Sequence, residues 1–263
     1  MEIQFYKYQG TGNDFVILDN RDGKFNGLTV EQAKFLCDRR FGIGADGLML
    51  LNLHPNYDFE MKYFNADGRE SSMCGNGGRC LTKFAYDAGL YQMKYKFIAI
   101  DGEHEAEINE DGTVALKMNN VEHIREDHGN YVLNTGSPHF VKFEQDVQHL
   151  DVFKKGREIR YNHEFKEVGI NVNFVEQTDH PAKIFVRPYE RGVEDETYSC
   201  GTGVTACALV SYHNDNGFNH VDVQTKGGKL SVEFEKVGNG FKNIWLIGPA
   251  EKVFEGVLEL NHI

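Results

Sequence analysis

Short runs of alternating apolar and polar residues recur along the chain and predict β-strands. The clearest are residues 3–8, where apolar and polar residues alternate from Ile3, and 58–64, where apolar side chains occupy every second position. Further candidate strands follow at 15–18, 48–51, 106–108, 114–118, 131–134, 140–143, 171–176, 183–188, 230–234, 243–247 and 252–257. Because Gly, Asn and Asp turns separate these short runs, the pattern predicts a mainly antiparallel architecture.

Three segments are predicted as helices. Residues 29–41 begin at Thr29, which can cap a helix, and they place Ala33, Leu36 and Cys37 on one face. The other two, residues 77–88 and 203–213, each follow a Cys-Gly-x-Gly sequence. These two sequences lie about half the chain length apart, and each is followed by a second cysteine. We therefore expect an internal repeat of two similar domains, each with one central helix wrapped by strands.

Charge and cysteine content narrow the function classes. The net charge is −12, from 28 basic and 40 acidic residues. This charge opposes non-specific binding to nucleic acid, and no basic cluster offsets it. No apolar run approaches the ~20 residues of a membrane span, and the N-terminus lacks the features of a signal peptide. We expect a cytoplasmic protein, and an odd count of 5 cysteines argues against a disulfide framework.

The Cys-Gly-x-Gly sequences indicate a specific chemistry. Glycines after a cysteine leave the backbone N–H groups of the first helical turn open to a ligand, and the helix dipole favours an anion there. The same environment lowers the pKa of a thiol. We therefore expect Cys74 and Cys200 each to be an activated thiol beside an anion site, with both thiols facing one cleft.

Two thiols in one cleft suit the inversion of an amino acid. One group removes Hα from one face of the α-carbon, and the other returns a proton to the opposite face. Donors around the carboxylate stabilise the carbanion, because negative charge accumulates there. Two helix N-termini would supply those donors without a metal or pyridoxal phosphate.

Simpler interpretations compete at several positions. A zinc site would use Cys74 with Cys80 and Cys200 with Cys207, but both spacings are longer than those of structural zinc sites. Cys80, Cys207 and Cys37 are instead expected to be buried helix residues. A G-x-G-x-x-G pattern at 42–47 follows a helix and precedes a strand, so we interpret it as a turn and not a dinucleotide site.

Two further candidates also have ordinary explanations. A lone histidine such as His139 is more often a hydrogen-bonded structural residue than a catalytic one. A neighbouring acid and base such as Glu190 and Arg191 most often form a surface ion pair.

The chain resembles the diaminopimelate epimerase family along essentially its full length. The matching segments stand in family order: 10–15 (GTGNDF), 40–47 (RFGIGADG), 63–68 (YFNADG), 73–79 (MCGNGGR), 138–139 (PH), 171–175 (NVNFV), 189–193 (YERGV) and 199–203 (SCGTG). The resemblance implies an α/β (α+β) fold of two pseudo-symmetric domains, each a mainly antiparallel strand barrel around a central helix, with the active site in the cleft between them. We place the domains at 1–118 with 251–263 and at 119–250.

The resemblance also implies an activity and its residues. The activity is the interconversion of LL- and meso-diaminopimelate in lysine and peptidoglycan-precursor synthesis, by a homodimer without a cofactor or metal. Cys74 and Cys200 would be catalytic, and His139 and Glu190 would tune the thiols. The substrate would be bound by Asn13, Asn65, Gly75, Asn76, Asn171, Glu190, Arg191, Gly201 and Thr202.

The chain departs from the family pattern at three places. Gly47 stands where some relatives have a Gln that contacts the substrate, and Ser137 replaces the common Asn before Pro-His. Residues 192–197 form a loop one residue longer than usual before the second cysteine. The first two departures affect the contacts to the distal end of the substrate.

Two other activities remain open. Proline and hydroxyproline racemases resemble this layout, but their first motif has His where Asn76 stands, and phenazine-pathway isomerases replace the cysteines. A thiol redox or metal-binding protein is the alternative from another class, and it predicts no exchange of substrate Hα.

Overall fold

The structure, a computed structural model, describes residues 2–259. It divides into two compact units, Met1–Leu116 with Pro249–Ile263 and Lys117–Gly248. The domains predicted at 1–118 with 251–263 and at 119–250 have bounds close to these.

The first unit consists mainly of strands. Its elements are β1 (Glu2–Gly10), β2 (Asn13–Asp19), α1 (Val30–Cys37), β3 (Gly47–Asn52), β4 (Phe59–Asn65), β5 (Glu70–Ser71), α2 (Gly75–Asp87), β6 (Lys94–Ala99), β7 (Gly102–Ile108) and β8 (Val114–Lys117). A last strand, numbered β18 (Glu251–Glu259), returns to pair with β1.

The second unit repeats this order of elements. It contains β9 (Arg125–Asp127), β10 (Asn130–Asn134), β11 (Pro138–Phe143), α3 (Val152–Arg160), β12 (Asn171–Gln177), β13 (Lys183–Glu190), β14 (Asp195–Glu196), α4 (Gly201–Val210), β15 (Gly217–Thr225), β16 (Gly228–Val237) and β17 (Gly240–Gly248). A 3-10 turn, Val147–His149, precedes α3.

Strand pairing follows one scheme in both units. The first sheet runs β18-β1-β2-β3-β4-β6-β7-β8 and is antiparallel except at β2–β3 and β4–β6. The second runs β9-β10-β11-β12-β13-β15-β16-β17, with parallel steps at β11–β12 and β13–β15. The internal repeat therefore extends over nearly the whole chain, and the mainly antiparallel α+β architecture is confirmed.

Each unit has one helix enclosed by its strands. Helix α2 contacts β1, β2, β3, β4, β7 and β18, and α4 contacts β10, β11, β12, β13, β15, β16 and β17. Residues 75–82 of α2 are all buried, as are most residues of α4. A helix buried on all sides belongs to a core. The expected central helix is thus present in both units.

A second helix covers the opposite face of each sheet. Val16, Leu18, Leu48 and Leu50 pack with Leu36 of α1, while Phe15 faces α2 near Gly77. Strands covered on both faces carry continuous apolar runs, which explains residues 15–18 and 48–51. In the second unit the equivalent outer core includes Val152, Phe165, Val172, Phe174 and Tyr189.

Helix α1 ends four residues before the predicted end at 41. Its start is as predicted, because Thr29 caps the helix and forms a capping box with Gln32. At the other end, the Asp38 carboxylate accepts hydrogen bonds from the backbone N–H groups of Arg40 (2.7 Å) and Phe41 (2.8 Å). This local turn competes with helical hydrogen bonding and stops the helix at Cys37.

Several other elements differ from the sequence predictions. Helices α2 and α4 each begin two residues earlier than predicted, directly after the cysteine, and α4 ends at Val210. Helix α3, strands β6 and β15 and the short strands β5, β9 and β14 were not predicted. Helix α3 is short and has a central Gly156, where a Cβ atom would come 2.6 Å from the Tyr189 ring. Tight packing thus places a residue of low helix propensity inside this helix.

Candidate active site

Cys74 and Cys200 are the residues that precede α2 and α4. Both have extended backbone conformations, and the first intrahelical hydrogen bonds run from Gly78 N to Cys74 O (2.7 Å) and from Val204 N to Cys200 O (2.8 Å). The N–H groups of residues 75–77 and 201–203 come before these first helical bonds. They are therefore the groups that can donate hydrogen bonds to an anion at each helix start. Both cysteines therefore lie beside a helix N-terminus.

Close packing explains the second glycine of each motif. At Gly203, a Cβ atom would lie 2.4 Å from Asn173 Oδ1 on β12. At Gly77, it would lie 3.2 Å from Met49 Sδ on β3. The glycines thus let each central helix approach a strand of its own unit.

The Cys74 sulfur contacts an amide whose orientation is fixed. Its thiol donates to Asn13 Oδ1 at 3.6 Å, and Asn76 Nδ2 donates to the same oxygen at 3.2 Å. Asn13 Nδ2 donates to Asp46 Oδ2 at 2.7 Å. Because Asp46 can only accept, the amide oxygen of Asn13 faces Cys74. Two predicted binding residues, Asn13 and Asn76, are therefore brought together with Cys74.

An ion-pair network behind Asn13 was not predicted. Asp14 forms salt bridges with Lys7 (2.7 Å) and Arg39 (2.6 Å), and Arg39 also reaches Asp46 (2.7 Å). Burial alone would raise the pKa of the Asp14 carboxyl, but hydrogen bonds from Arg39 and Lys7 outweigh it and lower that pKa to about 2. The sequence feature that could have indicated this network is Asp46, an acidic residue in the turn at 42–47 next to the end of a strand.

Arg79 is a second unpredicted residue, and its guanidinium is fully buried in α2. Its Nη2 donates to Asn76 Oδ1 at 3.0 Å, and its Nη1 donates to Gly75 O at 3.3 Å. Burial lowers the pKa of Arg79. Since arginine can only donate, it fixes the Asn76 amide with its nitrogen towards Asn13.

The Cys200 sulfur has a carboxylate acceptor and two donors. Its thiol hydrogen-bonds the Glu190 carboxylate, while the Thr202 hydroxyl, 3.5 Å away, and the Gly203 N–H also approach the sulfur. Burial, followed by the Glu190 charge, raises the pKa of the Cys200 thiol well above its usual range. The expected lowering is therefore wrong for Cys200, because burial and a neighbouring carboxylate outweigh the donors at the helix end.

His139 is buried and neutral. Burial, with the charge of Arg191 as a second cause, lowers the pKa of His139 to about 3. Its Nε2 lies 2.9 Å from Thr202 Oγ1, and its Nδ1 lies 3.1 Å from Asn173 Nδ2. His139 thus contacts the α4 motif through Thr202. Its other side-chain neighbour, Asn173, is a residue that sequence reasoning did not assign to the site.

Asn171 holds two backbone segments together. Its Nδ2 donates to Ser137 Oγ (2.9 Å) and Pro138 O (3.2 Å), and its Oδ1 accepts from the Arg191 N–H (2.9 Å). The Ser137 hydroxyl is therefore engaged with Asn171. The Arg191 guanidinium is exposed and donates to Val168 O at 3.2 Å.

The remaining positions singled out in the sequence lie at strand ends and in a loop. Asn65, the last residue of β4, is exposed, and its N–H donates to Arg69 O (2.9 Å). At Gly47, a Cβ atom would come 2.5 Å from the Tyr63 ring, so Tyr63 fills the space of a side chain. In the longer loop at 192–197, Glu194 accepts from Gly192 N (3.1 Å) and Tyr189 Oη (3.2 Å).

The other cysteines are not part of these arrangements. Cys37, Cys80 and Cys207 are buried, as predicted, and all five cysteines are free thiols. Among residues 2–259, no group of three or more His, Cys, Asp or Glu side chains is placed to hold a metal ion. Over the same residues, no helix is long and apolar enough to cross a membrane.

Solved structures with this fold come from several enzyme groups. A phenazine biosynthesis protein of Bacillus anthracis superposes with a TM-score of 0.75 at 15% identity, over 99% of this chain and 100% of that chain. A probable proline racemase of Agrobacterium radiobacter gives 0.68 at 16% identity, over 98% and 93%. At these identities, the likeness establishes the fold alone.

Sequence comparison establishes the family. The family model described as Diaminopimelate epimerase matches residues 5–124 and 131–253. A diaminopimelate epimerase of Flavobacterium psychrophilum is 50% identical over 255 residues, covering 96% of this chain and 99% of the relative. One of Aquifex aeolicus is 40% identical, covering 97% and 98%. The chain therefore belongs to the diaminopimelate epimerase family, whose members are isomerases.

Proposed function

We propose that this protein interconverts LL-2,6-diaminopimelate and meso-diaminopimelate, with Cys74 and Cys200 as the two acid–base groups. The step belongs to lysine and peptidoglycan-precursor synthesis. One observation carries the proposal: in two halves of identical topology, a cysteine stands at the same place before the central helix. The names of the relatives supply the substrate.

The chemistry of the two helix starts supports this assignment. Removing Hα leaves negative charge that spreads into the carboxylate, so catalysis requires fixed donors around that group. The N–H groups of Gly75, Asn76, Gly201 and Thr202 are the donors we assign to it. These groups are held by the backbone, so they need no reorganisation during the reaction. The proposed reaction therefore runs without a metal or pyridoxal phosphate.

The two thiols have different proton acceptors. The Cys200 thiol donates to Glu190, so Glu190 can take its proton and leave a thiolate that receives hydrogen bonds from Thr202 and Gly203. The Cys74 thiol donates to the amide of Asn13. An amide oxygen is a far weaker base than a carboxylate. We therefore propose that Cys200 acts as thiolate base while Cys74 supplies a proton, with the roles reversed in the other direction.

We assign the grip on the distal end of the substrate to polar side chains around the cysteines. The exposed guanidinium of Arg191 suits a carboxylate, since it can bind both oxygens. Asn65 is exposed and Asn13 is oriented by Asp46. Asn171 contributes by holding the Arg191 backbone.

We also propose a cytoplasmic homodimer. Five free cysteines suit a reducing compartment. Val253 and Val257 on β18 are both 54% exposed. Exposed apolar side chains on one strand are a suitable subunit contact. Light scattering tests this: a V253K/V257K double variant should be monomeric where the unmodified protein is dimeric, and a monomeric unmodified protein contradicts it.

The experiment that tests the function follows Hα of LL-diaminopimelate by NMR in D2O, with a chelator present. The unmodified protein and the C207A control, which alters a buried cysteine of α4, should both exchange Hα and form the meso isomer. C74A and C200A should each lose at least about 1,000-fold in rate, as expected for an essential proton-transfer group. Exchange on proline or hydroxyproline instead would keep the mechanism and change the substrate. No exchange on any amino acid contradicts the proposal.

A further inference from the structure

The two halves differ in the polarity of two equivalent buried positions. In the parallel pair β2–β3, Phe15 aligns with Gly47 and Ile17 with Met49. In the parallel pair β11–β12, His139 aligns with Asn171 and Val141 with Asn173. The repeat thus makes His139 the counterpart of Phe15, and Asn173 the counterpart of Met49.

All four of these side chains are completely buried. Phe15 and Met49 fill their positions against α2 without any polar atom, so the topology does not require a polar pair there. The second half has the polar pair although Asn173 Oδ1 is buried without a hydrogen-bond partner, which costs stability. A buried polar pair that the fold does not need indicates a role in the chemistry beside it.

The Asn173 amide orientation is fixed by a backbone carbonyl. Its nitrogen lies 3.2 Å from Phe140 O and 3.1 Å from His139 Nδ1. The carbonyl oxygen of Phe140 can only accept, so the group facing it is the NH2 of Asn173. That group therefore also donates to His139 Nδ1, and the single proton of the neutral imidazole lies on Nε2.

The tautomer determines where the Thr202 hydroxyl proton points. His139 Nε2–H donates to Thr202 Oγ1 across 2.9 Å, so Thr202 cannot donate back to the histidine. Its own proton is then available to the Cys200 sulfur, 3.5 Å away. The Cys200 thiol donates its own proton to Glu190. The sulfur can therefore accept a hydrogen bond from Thr202 at the same time.

We propose that Asn173 is a positioning residue: it holds His139 as the Nε2–H tautomer, so that Thr202 donates a hydrogen bond to Cys200. Its catalytic consequence rests on the proposed function, because the hydrogen bond from Thr202 affects the reaction only if Cys200 acts as the thiolate base. Glu190 on β13 and the more distant charge of Arg191 are the charged groups that act on this cluster.

The test compares N173L, which keeps the branched shape of Asn173 and removes its donor, with M49L at the equivalent position of the first half. Imidazole 15N NMR of histidine-labelled protein reports the tautomer, and H139Q identifies the His139 signals among 11 histidines. In the C74A background, the rate of Cys200 alkylation by iodoacetamide against pH, read by peptide mass spectrometry, reports the thiol. Steady-state kinetics separates kcat from KM.

In the unmodified protein we expect a protonated Nε2 and an unprotonated Nδ1. N173L should populate both tautomers, move the alkylation midpoint up by about one pH unit, and lower kcat about tenfold with KM changed less than about twofold. M49L should change none of these readouts. T202V should reproduce the shift in the alkylation midpoint. It should leave His139 Nδ1, the ring nitrogen that faces Asn173, unprotonated.

Two results overturn the inference: a proton on His139 Nδ1 in the unmodified protein, or an N173L protein with the unchanged tautomer and alkylation profile. Both readouts are independent of diaminopimelate. A protein inactive on that substrate would therefore overturn the proposed function, while the tautomer and the alkylation midpoint would still decide on Asn173.

Discussion

Asn13 Oδ1 lies 3.6 Å from Cys74 Sγ, with the amide turned so that its oxygen faces the thiol. The orientation comes from Asp46, which accepts from Asn13 Nδ2. In the second half, Cys200 meets the carboxylate of Glu190 instead. Two halves with one topology thus present their cysteines to acceptors of different basicity, a neutral amide and a carboxylate.

The Asp46 carboxylate can be tested through D46N. An amide at position 46 no longer dictates which atom of Asn13 faces Cys74, so we expect kcat/KM to fall about tenfold, the value of one charge-assisted hydrogen bond. D215N, in an exposed loop before β15, is the control and should stay within about twofold. A D46N enzyme as active as D215N would remove Asp46 from the account.

Replacing Glu190 should affect thiol reactivity and catalysis in opposite directions. The Glu190 charge and its hydrogen bond contribute to the raised pKa of Cys200, so E190Q should lower the pH midpoint of Cys200 alkylation. The variant also lacks the proton acceptor, and kcat should fall at least about 100-fold. E158Q, exposed on α3, should change neither value. An E190Q enzyme with an unchanged alkylation midpoint would contradict the Glu190–Cys200 contact.

Substituting Gly203 tests the packing of α4 on β12. A Cβ atom there would meet Asn173 Oδ1 at 2.4 Å, so we expect G203A to lower the free energy of unfolding by about 1–3 kcal/mol. Gly27 has open space around it and gives the matched control, G27A, which should stay within about 0.5 kcal/mol. Urea unfolding measures both, and equal stabilities would refute the close approach.

Asp14 predicts a pH dependence of stability. Its pKa of about 2 lies below the unfolded value, so its stabilisation is complete above pH 4 and declines as pH falls towards 2. Asp14 is partly exposed, and we expect a contribution on the order of 1–2 kcal/mol. The difference in free energy of unfolding between the unmodified protein and D14N should therefore be smaller at pH 3 than at pH 6. A difference that does not change with pH would mean that the ion pairs with Lys7 and Arg39 do not stabilise the fold.

Local sequence patterns predicted the architecture and the two cysteine motifs well. Alternation along 3–8 and 58–64 marks strands whose alternate residues are buried, and the capping residue Thr29 marks the start of α1. The Cys-Gly-x-Gly motifs identify helix starts because glycine there lets a strand pack closely against the helix. It also leaves the N–H groups of the first turn accessible. Such signals lie within a few consecutive residues, so one sequence is enough to detect them.

The groups that orient the cysteines could not be predicted in this way. Asn13 is held by Asp46, and His139 by Asn173, across strands that are distant in sequence. Asn173 is also one of two asparagines in a strand, and only the packing of Gly203 against it distinguishes it from Asn171. The raised pKa of Cys200 could not be predicted either, because it comes from burial in the folded protein and not from the motif itself.

The most direct test of the two-thiol account measures where deuterium appears first. LL-diaminopimelate is incubated with the unmodified protein in D2O, and substrate and product are separated at low conversion. Two thiols on opposite faces of the α-carbon predict deuterium at Cα of the meso product while the recovered substrate retains its hydrogen. Equal labelling of substrate and product from the earliest times would indicate a single base serving both faces, and would contradict the roles assigned to Cys74 and Cys200.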